Sequence, residues 1–476
     1  MPTATLAAAP PFHDDDAYAI LSAHDRLLAL CDPGSLQLIR SRVTSDALGD
    51  RAVEGDGVVA GAGRIDGRPV FCYAQDASFL GGSLGEAHAD SIVRILELAE
   101  RAKAPVVGFV ESGGARMQEG TEALGGYGRI FRATVRLRGR VPRISIVSGL
   151  SAGGGAYAPA LTDFVIMSGA SSMFLTGPRV VKEALGEDVS AEELGGPAVH
   201  ERTGVCHLVA ADHVEAAALA RQLLSYGLPA PVRPPAGVDA GNIVPTDSRK
   251  VYDVRDVIRS VADGDSFLEL APRWARNMTI GLARIDGQAV AIVANQPRYL
   301  GGVIDADASE KASWMVGRAE RLRLPLVVLV DTPGFMPGTR QERAGVIRHG
   351  AGLLEAFAAA SVPKVTVVLR KAFGGAFITM NSKDLGADLV LGWPQAQIGV
   401  MGAVPAVGII HRRALAVAGD PEAERARLAG LYAEEHLSAS AAAARGAVDE
   451  TIEPAATRER LAGALHALSP ARERAV

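Results

Sequence analysis

The feature that most constrains this chain is that it repeats itself. Arg64, Ile65, Asp66 and Gly67 recur as Arg284, Ile285, Asp286 and Gly287, and Leu80, Gly81 and Gly82 recur as Leu300, Gly301 and Gly302, each 220 residues on. The register holds: Pro105 before VVGFV matches Pro325 before LVVLV, and Glu111, Ser112, Gly113 and Gly114 face Asp331, Thr332, Pro333 and Gly334 at the same offset. Pro142 before RISIV then matches Pro363 before KVTVV, and Gly153 and Gly154 match Gly374 and Gly375, now 221 residues on. A single inserted residue over this length marks a duplication, so each half is one copy of the same folding unit. Between the copies lies LPAPVRPPAGVDAGNIVPTDSRK, residues 228–250, rich in proline and without helical or strand periodicity, which reads as a linker. The halves are therefore set at 1–235 and 236–476.

Each half carries the same local pattern. Asp90 or Ser91 is the expected cap of a helix whose apolar face is Ile92, Ile95, Leu96 and Ala99; Ser309 is the expected cap of one with Ala312, Met315, Val316 and Ala319. Each helix leads into a continuous aliphatic run, 106–110 or 326–330, which predicts a strand buried on both faces of an α/β core. Both strands end in glycine loops, SGGAR at 112–116 and TPGF at 332–335. A helix and a second strand follow, closing on SAGGGAY at 151–157 and FGGAF at 373–377. Two strand-to-loop corners per half result.

Composition removes several function classes. With 49 Lys and Arg against 54 Asp and Glu, the net charge is −5, which provides no broad cationic face for a nucleic acid. Cys31, Cys72 and Cys206 form no CxxC pair, so neither a structural zinc site nor a disulfide framework is expected, and no metal is assigned. The N-terminus has no basic stretch before its short alanine run, and no segment approaches the roughly 18 apolar residues of a membrane span. A cytoplasmic protein without a membrane partner is the expectation.

Side-chain catalysis is poorly supplied. There is no GxxxxGK[ST], no dinucleotide fingerprint, no HExxH and no GxSxG, and His200, His207 and His213 read as loop and surface residues. Ser112 sits at a glycine corner, but nothing nominates a base for it. What remains is the backbone. Glycine at a corner permits φ > 0 and leaves N–H groups approachable, an arrangement that stabilises anions, although tight turns also need glycine for steric reasons alone.

The motifs SGGAR, SAGGGAYAPALTD, YDVRDVI, NQPRYLGG, LVDTPGFMPG, RKAFGGAFITMNSK and WPQAQIGVMGA, in order between about residues 20 and 460, resemble the carboxyltransferase β subunit of acyl-CoA carboxylases, the acetyl-CoA and propionyl-CoA carboxylase group. The resemblance implies an α/β chain made of two crotonase-like (ClpP-like) β-β-α spiral domains, the first facing acyl-CoA and the second biotin, with the site between two subunits of a homo-oligomer, a hexamer in the family. It implies amides of Gly153 and Gly154 against the acyl oxygen and amides of Gly375 and Ala376 against the biotin oxygen. It also implies Ser112, Gly113, Gly114 and Ala115 on the substrate side, Gly334, Phe335 and Gly374 on the biotin side, and Ile378 in the wall near the acyl tail. Biotin itself is then the base.

None of the seven lysines, Lys103, Lys182, Lys250, Lys311, Lys364, Lys371 and Lys383, stands in the Met-Lys-Met setting a biotin ligase modifies. Biotin is expected on another chain, a biotin carboxylase/biotin carboxyl carrier α subunit. Three cysteines also exclude the Cys₄ zinc ribbon of one branch of the family. Gly155 and Ala156 stand where the family more often has Ala-Val, and Val404 and Gly408 where it usually has Lys and Glu. A decarboxylase or transcarboxylase component and a non-catalytic scaffold subunit are the alternatives.

Overall fold

The computed structural model describes residues 21–235 and 239–468. The first half forms a sheet from β1 (Gln37–Leu38), β2 (Val58–Ile65), β3 (Arg68–Gln75), β4 (Val106–Ser112), β5 (Arg143–Ala152), β6 (Phe164–Ser168), β7 (Ser172–Phe174) and β8 (Leu208–Ala210). The second uses β9 (Leu268–Leu270), β10 (Met278–Ile285), β11 (Gln288–Asn295), β12 (Leu326–Thr332), β13 (Lys364–Phe373), β14 (Leu389–Gly392), β15 (Gln397–Gly399) and β16 (Glu450–Thr451). Strand order is 1-2-3-4-5-6-8 with β7 on β5, and 9-10-11-12-13-14-16 with β15 on β13, so the two sheets correspond strand for strand. In each, an antiparallel hairpin (β2–β3, β10–β11) leads into parallel neighbours. The tandem α/β expectation holds, as does its crotonase-like form.

The central strands are buried on both faces, as their unbroken aliphatic runs predict. Side chains of β4 alternate between two cores: Val106 and Val110 pack with Ile92 and Ile95 of the helix Glu86–Ala102, while Val107 and Phe109 join a cluster that also takes in Val328 and Val330 of β12. That second cluster contains residues of both halves, so one core runs across the seam.

The repeat extends to polar details that are silent in the sequence. Asp32 accepts hydrogen bonds from the Asp66 and Gly67 amides at 3.1 and 2.8 Å, closing the β2–β3 turn. Asp263 does the same for Asp286 and Gly287 at 2.9 and 2.6 Å. Gln75 and Asn295, 220 residues apart, each turn a side-chain oxygen to the amide of the equivalent acid, Glu111 or Asp331. The arginine neutralising that acid differs: Arg26 pairs with Glu111 at 2.6 Å, Arg370 with Asp331 at 3.0 Å. Gly149 occupies the position of Arg370 in the first copy, where even a Cβ would lie 2.3 Å from the Glu111 carboxylate.

Three expectations need correction. The helix Glu86–Ala102 starts at Gly85, ahead of Asp90 and Ser91, and the helix Ala306–Leu322 is capped by Asp305, not Ser309. Ser91 and Ser309 lie inside their helices and bond back to the carbonyls of Ala87 and Asp305, an option serine takes without ending a helix. The linker is not featureless: Ala240–Ile243 is a single helical turn, and Ala240 and Val244 are buried in the second half. Finally, His207 and His213 are not surface residues. His207 accepts the Val165 amide at 2.8 Å and stacks on Trp314, and His213 bonds the Ser148 carbonyl at 3.0 Å. Among the described residues no group of His, Cys, Asp and Glu is arranged to hold a metal ion.

Candidate active site

In each half the parallel ladder slips once, between the two strands that end in the corners. The β4–β5 register shifts between Val110 and Ser112, and the β12–β13 register between Val330 and Thr332. The chain leaving β5 turns through Gly153 at φ +58° into the helix Gly154–Ala160; the chain leaving β13 turns through Gly374 at φ +61° into the helix Gly374–Thr379. Gly153 and Gly374 thus have the same task, a backbone region that L side chains avoid.

This geometry sorts the amides. The Gly153 N–H donates to the Phe174 carbonyl of β7 at 3.1 Å, so in this conformation it is not an open anion donor. The Ala156 N–H is taken by the Gly153 carbonyl, also at 3.1 Å. Gly154 opens its helix and its N–H has no acceptor among the described residues, as first-turn amides commonly lack one. On the other side, the amides of Gly375 and Ala376 are likewise without acceptors. Gly375 is exposed with nothing within 4 Å of where a Cβ would stand, while the Ala376 methyl is buried. Backbone, not side chain, faces outward there.

The neighbouring loops complete each corner. Gly114 (φ +106°) and Gly334 (φ +142°) are equivalent; each donates its N–H to the hydroxyl two residues back, Ser112 or Thr332, at 3.3 Å. Gly113 donates to the Gly81 carbonyl at 2.9 Å. Ala115 and Phe335, the next equivalent pair, bridge to Leu84 and Ile304 and keep amides without acceptors among the described residues. The Phe335 ring packs over Gly350. Ser112 is fully buried, its hydroxyl 3.0 Å from the Tyr127 hydroxyl, so it shapes the corner and does not present a nucleophile. Ile378 is 48% exposed, neither packed in the core nor enclosed within this chain.

Two groups escaped sequence reasoning. Tyr127, only 5% exposed, lies under Gly154: a Cβ there would come 2.8 Å from its ring. Burial raises the Tyr127 pKa, and the Ser112 hydroxyl and Gly155 amide facing its oxygen pull it back. The signal was the GGYG run at 125–128, in which Gly126 lets the helix Thr121–Arg136 press onto Ala89. The second group is Arg116, buried between Asp56 at 2.6 Å and Glu119 at 2.8 Å. It also donates to the Ser83 carbonyl, tying the SGGAR loop to the start of the helix Glu86–Ala102. Burial would raise Glu119, but the Glu86 amide, Ser45 and Arg116 together hold it below its ordinary range. Met336 takes the equivalent place in the second half.

Residues 21–475 match the Carboxyl transferase domain family. The methylmalonyl-CoA carboxyltransferase 12S subunit of Propionibacterium freudenreichii subsp. shermanii is 44% identical over 95% of this chain and 89% of its own length. The propionyl-CoA carboxylase beta chain of Saccharopolyspora erythraea is 45% identical, covering 95% and 88%. The crystal structure of transcarboxylase 12S, a hexamer assembly with methylmalonyl-coenzyme A and methylmalonic acid bound, superposes with a TM-score of 0.89 at 43% identity, covering 96% of this chain and 92% of that one. Fold, corner geometry and sequence agree: this chain belongs to the carboxyl transferase family, as a biotin-dependent carboxyltransferase of the acyl-CoA carboxylase β-subunit kind.

Proposed function

We propose that the chain transfers a carboxyl group from biotin carried on a separate protein to the α-carbon of a short acyl-CoA, acetyl-CoA or propionyl-CoA, giving malonyl-CoA or methylmalonyl-CoA. The observation that carries this reading is the doubled corner, in which each half turns unpartnered backbone amides outward at equivalent positions. The exposed Gly375 leaves its amide open to a ureido oxygen, with Gly374, Gly334 and Phe335 framing the Gly375 and Ala376 amides. Carboxylated biotin, when bound, supplies the carboxyl group and the base for the α-proton. On the acyl side, the Gly154 N–H, with Ala115 from the adjoining loop, takes the charge that gathers on the thioester oxygen, and Gly153 shapes the turn. One well-placed donor of this kind is worth about 3–4 kcal/mol in a transition state, so two such sites account for a reaction without a side-chain base.

The lysine contexts support delivery of biotin by a carrier α subunit, and a cytoplasmic setting fits three unpaired cysteines. No described helix is long and apolar enough to cross a membrane. A second copy of the chain is proposed to cover the biotin side, where Ile378, Ile347, Val400 and Val404 are all left exposed. The test is ATP- and bicarbonate-dependent carboxylation of acetyl-, propionyl- and butyryl-CoA with a biotinylated partner and its carboxylase. Incorporation that requires the partner supports the reading; none with any of the three refutes it. The 12S relative keeps a transcarboxylase reading in play, and transfer that proceeds without ATP from a carboxylated donor would select it.

A further inference from the structure

At the strand ends opposite the glycine corners, the two copies of the repeat meet around a cavity of about 550 Å³. Nine residues of β5 separate Ile144 in its wall from Gly153, roughly 30 Å at about 3.3 Å per residue, so the cavity is remote from carboxyl transfer. Its floor is apolar and shared between the halves: Ile144 and Phe164 come from the first, Leu282 and Leu324 from the second. Its lining is also cationic. Lys103 and Arg323 stand there at equivalent positions of the repeat, each ending its helix in the left-handed conformation, and Arg321 lines the cavity with them.

Carboxylates near this cavity are already committed. Glu100, the acid in its lining, is paired with both Arg136 and Arg140. Asp163 lies 3.9 Å from Arg321 but is held by two nitrogens of Arg143 at 3.1 and 2.7 Å. Arg318, stacked on Trp314, reaches only the Asp163 backbone carbonyl among the described residues, at 3.4 Å. Lys103 and Arg323 have no ion pair among the described residues. Cations at helix C-termini complement the helix dipole, which accounts for Lys103 and Arg323. Arg321, in the last turn of the helix Ala306–Leu322, gains from the same dipole, but its side chain is only 21% exposed and its pKa is lowered by burial and by Arg138. A largely buried guanidinium with only a shared, distant carboxylate is costly unless another anion joins it.

We infer that this seam cavity binds a small amphipathic anion, a carboxylate or phosphate monoester whose head group meets Arg321, Lys103 and Arg323 and whose apolar tail lies over Ile144, Phe164, Leu282 and Leu324. The test is titration calorimetry on the assembled full-length protein with decanoate, decyl phosphate and uncharged decanol. One saturable site per chain is expected for at least one anion and none for decanol, and the preferred anion separates a carboxylate from a phosphate ligand. Arg321→Gln should weaken binding at least tenfold, and Leu224→Trp, which fills the cavity from its half-buried edge, should abolish it. Arg249→Gln, whose side chain is 90% exposed in the linker beside Arg370 near the corner end of β13, should leave it unchanged. Absence of saturable binding of either anion, equal binding of decanol, or unaltered binding by Arg321→Gln and Leu224→Trp proteins that melt like the parent would overturn the inference.

Discussion

At the scale of single residues, equivalent glycines of the two copies do different work. Gly154 lies against the Tyr127 ring, so Gly154→Ala forces apart a contact of 2.8 Å and shifts the amide that opens the helix. Gly375 faces open space, where a methyl group meets nothing within 4 Å. Carboxylation of propionyl-CoA should therefore fall by about a hundredfold in Gly154→Ala, the lower range for loss of an oxyanion donor, and stay within a few-fold in Gly375→Ala. Steady-state kinetics on both variants checks this contrast, and equal losses would contradict it. The corners themselves were legible in the sequence because glycine pairs recur at a fixed offset. Which amide stays free was not legible: Gly153 is occupied by Phe174 of β7, a strand of three residues with no pattern to announce it.

At the scale of elements, the SGGAR loop of the first half is held by a charge network that the TPGF loop of the second half lacks. Arg116 and Asp56 are fully buried and Glu119 nearly so, and breaking such a set by removing one partner costs about 3–5 kcal/mol. Arg116→Met copies the residue of the second half, Met336, yet leaves two carboxylates without their cation. Denaturant unfolding should show a loss of that size, and a change below about 1 kcal/mol would mean the network contributes little. Long strands were readable because a doubly buried strand needs an unbroken aliphatic run. Helix starts were misjudged because Ser91 and Ser309 look like caps yet bond back inside their helices. The Asp32 and Asp263 turn caps were hidden because each reaches its turn across tens of residues of sequence.

At the scale of the whole molecule, stability should carry the signature of histidines buried neutral. His88 and His207 are both pushed down to about 3, chiefly by burial and then by the charges of Arg116 and Arg318 respectively. A folded pKa below the unfolded value near 6.5 means that stability is complete above about pH 6.5 and declines as the pH falls from there towards 3. Each such histidine contributes a slope of up to about 1.4 kcal/mol per pH unit. Unfolding free energies between pH 7 and 5.5 should fall accordingly, with His207→Gln removing about one proton from the slope; a flat profile would contradict the burial of these rings. The central claim, that two backbone corners carry out carboxyl transfer, is tested most directly at Ala376. Proline there deletes an N–H that bonds nothing among the described residues, and the first turn of a helix tolerates the ring. Transfer of labelled carboxylate from a carboxylated biotin carrier to propionyl-CoA is the measurement. The parent chain should transfer the label, and an Ala376→Pro protein that melts and assembles normally should lose at least a hundredfold of that rate. Transfer at the parental rate by the folded variant would contradict the account.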